Sequence, residues 1–170
     1  SNNREMKEHH NHINYNNYQK EIDMVRATGM RRDNVTKITP NTFNYDDRGY
    51  PVSIRLVDER ATGGDNWSEK GGRDRVSDIP YQLQERAKEI IDEHIKNGGA
   101  WDKPIFEHIP DRLGTHRFRQ EYADMTYKNY VEEHGESKMY RGYDEKAIEY
   151  TSKQLGHNRL DVVVYSYLVK

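Results

Sequence analysis

The chain has 170 residues, with 27 basic and 29 acidic side chains, a formal charge of -2 and no cysteine. Thirty Leu, Ile, Val and Phe residues make up about 18% of it, under the roughly 20% below which disorder is expected. Near-neutral charge and thirteen tyrosines offset this and point to a thin-cored, folded single domain. Disulfide frameworks and cysteine-ligated zinc are excluded. No apolar run reaches the ~20 residues of a membrane span, nothing reads as a secretory leader, and the basic excess common in nucleic-acid binders is missing.

Residues 1–20 form a polar segment rich in Asn, His and charge, and its Ser-Asn start reads as the scar of a processing protease. His9, His10 and His12 lack the i, i+4 spacing of a helical metal pair and have no acidic partner pattern, so no metal is expected. Ile22, Met24 and Val25 begin a short amphipathic helix running toward Gly29. A further helical turn or two should carry Val35 and Ile38 until Pro40 stops it. Asp46-Asp47-Arg48-Gly49 is turn chemistry, followed by a strand in which Val52, Ile54 and Leu56 alternate with polar positions. A partner strand is expected over residues 73–79, across a glycine-containing loop that also holds Trp67. Pro80 suits the first position of a helix carrying Leu83, Ala87, Ile90, Ile91 and Ile95, which Gly98-Gly99 closes. Its acids Glu85, Glu89, Asp92 and Glu93 read as a solvated face. Thr115 is placed to cap a helix from His116 to about Glu133, and Asp144 another with Ala147, Ile148, Thr151 and Leu155. In residues 160–168, Leu160, Val163, Val164 and Tyr167 recur at helical spacing, which overrides their β propensity. A small sheet followed by helices gives an α+β class, mainly helical with a small antiparallel sheet.

Four polar clusters could carry chemistry. Thr28-Gly29-Met30-Arg31 sets an arginine beside a glycine at a helix junction, where it reads equally as a surface arginine. Lys70-Gly71-Gly72-Arg73-Asp74-Arg75 is a basic glycine-flanked turn that suits a phosphate or a solvated hairpin. His116 and Arg119 share one face of a helix near its positive end, an anion site or a simple cap. Leu155-Gly156-His157 with Tyr165 and Tyr167 would pass alone for packing residues.

Taken in order, these motifs resemble the catalytic domain of tyrosine recombinases, the phage and transposon integrases. The resemblance runs over residues 22–168 and is most specific in residues 147–159. It implies the DNA breaking-rejoining fold for residues 21–170, with N-terminal DNA-clamping domains outside this chain. It also implies roles: Arg31 and Arg119 clamp the scissile phosphate, His116 and His157 bond it or accept the tyrosine proton, and Lys70 protonates the leaving 5′ oxygen. Tyr167, ten residues beyond His157, becomes the nucleophile that holds the DNA 3′ end, while Tyr165, eight beyond, packs or lies along the DNA. No cofactor and no metal are required, since the phosphotyrosine conserves the bond energy. The implied partners are double-stranded DNA and further copies of the chain, as a tetramer on DNA, with no membrane and a cytoplasmic, nucleoid-associated location. The chain departs from the family pattern at Asn34, where glutamate is usual, and at Gln120, where histidine or lysine is. The stretch before His116 is short and residues 132–146 are long. The alternatives are an inactive DNA-binding regulator of the same fold and a type IB topoisomerase-like enzyme. The neutral total charge then implies basic residues gathered around Arg31, Lys70 and Arg119, with the acids behind.

Overall fold

The structure, a computed structural model, describes residues 13–58, 73–157 and 168. Helix α1 (Gln19–Thr28) is preceded by a 3-10 turn, Tyr15–Tyr18, whose Asn14 side chain accepts the Asn16 N–H at 3.0 Å. The helix ends where expected, at Gly29 in the left-handed region (φ 65), whose N–H bonds the Val25 carbonyl at 2.7 Å. Ile22, Met24, Val25 and Ala27 are buried along α1, so this helix is the spine of the main core.

Beyond Gly29 the expected helical turn is short, and it ends before Pro40 is reached. Residues Arg32–Asn34 make only a 3-10 turn, and Pro40 opens another, Pro40–Thr42, instead of ending a helix. The reason is local. Proline lacks an N–H and is tolerated at a first helical position, and Thr39 and Thr42 close a reciprocal capping box around it. Val35 and Ile38 are buried as expected, at 0% and 2% exposure.

The sheet has order β1-β2-β3, all antiparallel, from Phe43–Tyr45, Pro51–Asp58 and Arg73–Asp78. The first strand is not apparent from the sequence. It is three residues long, too short for alternation to register, and its pairing shifts between Asn44 and Tyr45. In the β2–β3 ladder Ile54 faces Ser77 and Leu56 faces Arg75, while Arg55 faces Val76. Directly opposed residues share a face, so Ile54, Leu56, Ser77 and Arg75 point inward, and Val57 and Val76 lie on the exposed side.

Helix α2 (Tyr81–Lys96) starts one residue later than expected, with Pro80 as its N-cap, a shift within the usual fraying of helix ends. Ala87, Ile90 and Ile91 are buried, and Glu85, Glu89, Asp92 and Glu93 face solvent. Arg86 bonds Asp23 of α1 at 2.8 Å. Helix α3 (His116–His134) packs on α1, and Arg26 joins Glu121 across that pair at 2.6 Å. Thr115 sits at its N-cap without a side-chain bond. A two-residue hairpin, β4 (Met139–Tyr140) with β5 (Tyr143–Asp144), occupies part of the long stretch after α3. Asp144 then caps helix α4 (Glu145–Gln154) by accepting the Ala147 N–H at 2.9 Å. No helix among the described residues is long and apolar enough to cross a membrane.

Two apolar clusters result. The larger joins α1, the sheet, α2 and Phe106, Leu113 and Phe118; the smaller holds Tyr122, Ala123, Ile148, Leu155 and Leu168. Their seam is set by Gly29. A Cβ built on it would stand 2.4 Å from the Tyr122 ring, and its φ of 65 adds backbone strain. Tyr122 is fully buried and cannot yield cheaply. Gly29→Ala is therefore expected to destabilise the protein by about 3 kcal/mol, from left-handed strain plus overpacking. That corresponds to a Tm fall of roughly 6–12 °C. Gly49→Ala, at φ 83 with open space around it, should cost only about 1 kcal/mol; thermal unfolding of both variants checks the difference.

Candidate functional site

Three helix ends meet beneath the sheet, and each owes its shape to a short motif. In Thr28-Gly29-Met30-Arg31, the Thr28 hydroxyl donates to Met24 carbonyl at 2.7 Å and Gly29 reverses the chain. Met30 enters the core at 0% exposure. Arg31 follows in extended backbone (φ -74, ψ 158), half-buried, and its carbonyl accepts the Asn34 N–H at 3.0 Å. The next residue behaves differently. Arg32 donates to the carbonyls of Leu113 and Pro110, tying this loop to the segment that enters α3. That contact orders the approach to His116.

His116 is the first residue of α3, half-buried, and Arg119 follows three residues later on the same face. Arg119 is 6% exposed. Its Nε donates to the Gly29 carbonyl at 2.9 Å and its Nη2 to the Leu155 carbonyl at 3.1 Å. One guanidinium thus spans the end of α1 and the end of α4.

The Leu155-Gly156-His157 triplet is the terminator of α4. The Gly156 N–H bonds Lys153 carbonyl at 3.1 Å and the His157 N–H bonds Ser152 carbonyl at 2.9 Å, the paired bonds of a Schellman motif. Gly156 supplies the left-handed φ of 80, and Leu155 is buried at 0% exposure in the smaller cluster. Ser152 Oγ donates to the His157 carbonyl at 3.0 Å, so the backbone of His157 is held in both directions.

The structure therefore brings together Arg31, Arg119 and His157 from three separate stretches. Burial, followed by the charges of Arg119, Arg31 and Arg75, pushes the His157 imidazole down from 6.5 to about 3. Arg75 is the residue that sequence reasoning left unassigned. It lies half-buried in β3, and its Nη1 donates to Ser77 Oγ at 2.5 Å and to the Gln154 carbonyl. The strand alternation held the signal: Arg75, Ser77 and Ile79 fall on one side, and the last two are buried. Lys70, Trp67, Tyr165, Tyr167 and His9, His10 and His12 lie outside the described residues. Leu168 is 4% exposed, and its carbonyl accepts the Tyr143 hydroxyl at 2.5 Å. Among the described residues no group of three or more His, Asp or Glu is arranged to hold a metal.

Two described tyrosines are committed elsewhere. The Tyr122 hydroxyl donates to the Asp78 carbonyl at 2.7 Å, and Tyr150 to Asp78 Oδ2 at 2.6 Å. Burial raises both phenols well above their ordinary value, and for Tyr150 the Asp78 carboxylate adds to it.

Compared with models of protein families, with curated proteins and with solved structures, the chain matches none. What stands is an α+β fold with a small antiparallel sheet and, at its seam, three arginines around one histidine.

The histidine gives a pH test. Because its folded value lies below 6.5, the unfolded chain binds this proton first. His157 therefore costs nothing above about pH 6.5, and stability falls progressively as pH drops from there toward about 3. His157→Asn is expected to flatten the slope of stability against pH within that window, measured by urea unfolding at successive pH values.

Proposed function

We propose that the site binds a DNA phosphate and that the chain is a tyrosine-type DNA strand transferase, a site-specific recombinase. The observation that carries this reading is the convergence of Arg31, Arg119 and Arg75 on His157 in a chain of net charge -2. Like charges gathered at one partly buried place favour an anion beside them. Guanidinium groups in fixed positions suit the non-bridging oxygens of a phosphodiester.

The order of motifs turns a phosphate site into a strand-transfer site. Arg31 and Arg119 withdraw charge from the non-bridging oxygens as the phosphorus becomes five-coordinate. The neutral His157 accepts a hydrogen bond from, or takes the proton of, the attacking phenol of Tyr167, because only an unprotonated imidazole has a lone pair to offer. His116, at the positive end of α3, bonds the same phosphate. Lys70 gives its proton to the 5′ oxygen as the P–O bond breaks. The tyrosine keeps the 3′ phosphate, and a 5′ hydroxyl later reverses the step. The packing of Leu168 against Tyr122, Ala123, Ile148 and Leu155 supports a nucleophile from the C-terminal stretch, since Leu155 belongs to the turn that presents His157. Duplex DNA and further copies of the chain bound on it are the partners of this reading.

A DNA substrate nicked near the scissile phosphate tests it by trapping the covalent intermediate. The wild-type chain and Tyr165→Phe are expected to yield a protein–DNA adduct on denaturing gels, and Tyr167→Phe none. Arg31→Ala should slow adduct formation on the order of 10²–10³-fold. DNA retention by the wild type with no adduct would overturn the enzymatic reading in favour of a DNA-binding regulator, and an adduct in Tyr167→Phe would displace the nucleophile.

A further inference from the structure

Arg75 closes the basic cluster that begins at Lys70, yet the resemblance implies no role for it, and its surroundings are specific. Register places it opposite Leu56 on the inward face of β3. Its Nη1 donates to Ser77 Oγ at 2.5 Å and to the Gln154 carbonyl, which Ser77 Oγ also reaches at 2.5 Å. Gln154 is gripped from its side chain as well, with Oε1 accepting the Asp78 N–H at 2.6 Å. The last residue of α4 is thereby fixed to the strand at two points.

That grip reaches His157. Gln154 is the final helical residue, and the Schellman bonds from Gly156 to Lys153 and from His157 to Ser152 make the turn after it a closed unit. Any shift of Gln154 relative to the sheet is passed on to the imidazole. A guanidinium is required for this work. Its Nη1 alone bonds the hydroxyl and the carbonyl, while the delocalised charge of the rest of the planar group still acts on the ring, whereas an ammonium is a compact point charge.

We infer that Arg75 is a positioning residue of the Arg31–Arg119–His157 site: it locks the last turn of α4 onto β3 and adds a third positive charge for an incoming phosphate oxygen. The inference rests on the phosphate reading above but concerns a residue which that reading does not need. The electrostatic influence of Arg75 on His157, alongside Arg119 and Arg31, agrees with the geometry.

The test follows the His157 ring by NMR across pH, with and without inorganic phosphate, in the full chain and in Arg75→Gln, Arg75→Lys and Arg55→Gln. In the wild type, phosphate is expected to raise the His157 midpoint, because the anion offsets the arginines. Arg75→Gln should raise the phosphate-free midpoint toward 6.5 and weaken phosphate about tenfold, the scale of one lost charge-assisted hydrogen bond. Arg75→Lys should keep the midpoint low, since the charge remains, yet still bind phosphate more weakly because a three-donor ammonium replaces the planar five-donor guanidinium. Arg55, on the outward face of the neighbouring strand with its Nη2 on the Asn41 carbonyl at 2.7 Å, should alter neither quantity when changed to Gln. Phosphate affinity unchanged in both Arg75 variants overturns the inference and leaves the phosphate site standing. Equal effects from Arg55→Gln overturn it too, by making the change a general loosening of the sheet. If Arg75→Gln fails to fold, Arg75→Lys decides by its phosphate affinity. A wild-type chain whose His157 ignores phosphate overturns the phosphate site itself and the inference with it.

Discussion

The guanidinium of Arg119 bridges two backbone carbonyls that are far apart in sequence, Gly29 and Leu155. Each belongs to a turn in which the chain has just left a helix, so the bridge sets the distance between the C-terminal ends of α1 and α4. Everything around the site depends on that spacing. It is enforced from below by Tyr122, one turn further along α3, whose ring lies against Gly29 and whose hydroxyl ties to the carbonyl of Asp78 at the end of β3. Helix α3 therefore acts as a post with two side chains, one polar and one aromatic, that lock the two helix ends and the sheet together. A helix end has unsatisfied carbonyls, and a buried arginine has donors that must be satisfied; each requirement answers the other.

The same logic explains why the end of α4 attracts cations. The C-terminal end of a helix carries partial negative charge, and Arg75 and Arg119 occupy neighbouring carbonyls there, of Gln154 and Leu155. Placed in that way, the arginines are at home in the fold without any ligand. Burial first, and then the charges of these arginines and Arg31, push the His157 imidazole down from its ordinary range. Structural duty and the proposed capacity for anions are thus two sides of one arrangement.

Much of this was legible in the sequence because it was written in local chemistry. Gly29 and Asp144 announced helix ends through conformational freedom or a capping carboxylate, and the alternation of Ile54 and Leu56 announced a strand. The expected apolar residues of α1, α2 and α4 are largely those that are buried. What escaped was written in pairings between distant segments. Phe43–Tyr45 becomes a strand only because β2 lies beside it, and the hairpin Met139–Tyr140 with Tyr143–Asp144 is two residues a side, below the length at which periodicity can be read. Pro40 misled because proline both ends helices and begins turns. Among the site residues, Arg31, Arg119 and His157 were reachable through motifs, each fixed by the glycine or helix start next to it. Arg75 showed only as the end of the cluster that begins at Lys70, with no role of its own, since its importance comes from lying across from Leu56 and bonding Gln154, a fact of register that no neighbour in sequence declares.

Main-chain carbonyls and a serine hydroxyl are among the partners that hold two of these arginines, and this has a consequence for how the sequence can change over time. A carbonyl is present whatever the side chain, so the bonds to residues 154 and 155 survive substitution there as long as the backbone keeps its course. A carbonyl also orients a guanidinium without cancelling its charge, which a carboxylate would do. The fold can thus keep its arginines aligned through the main chain, and at Leu155 the side chain answers only to packing in the smaller cluster.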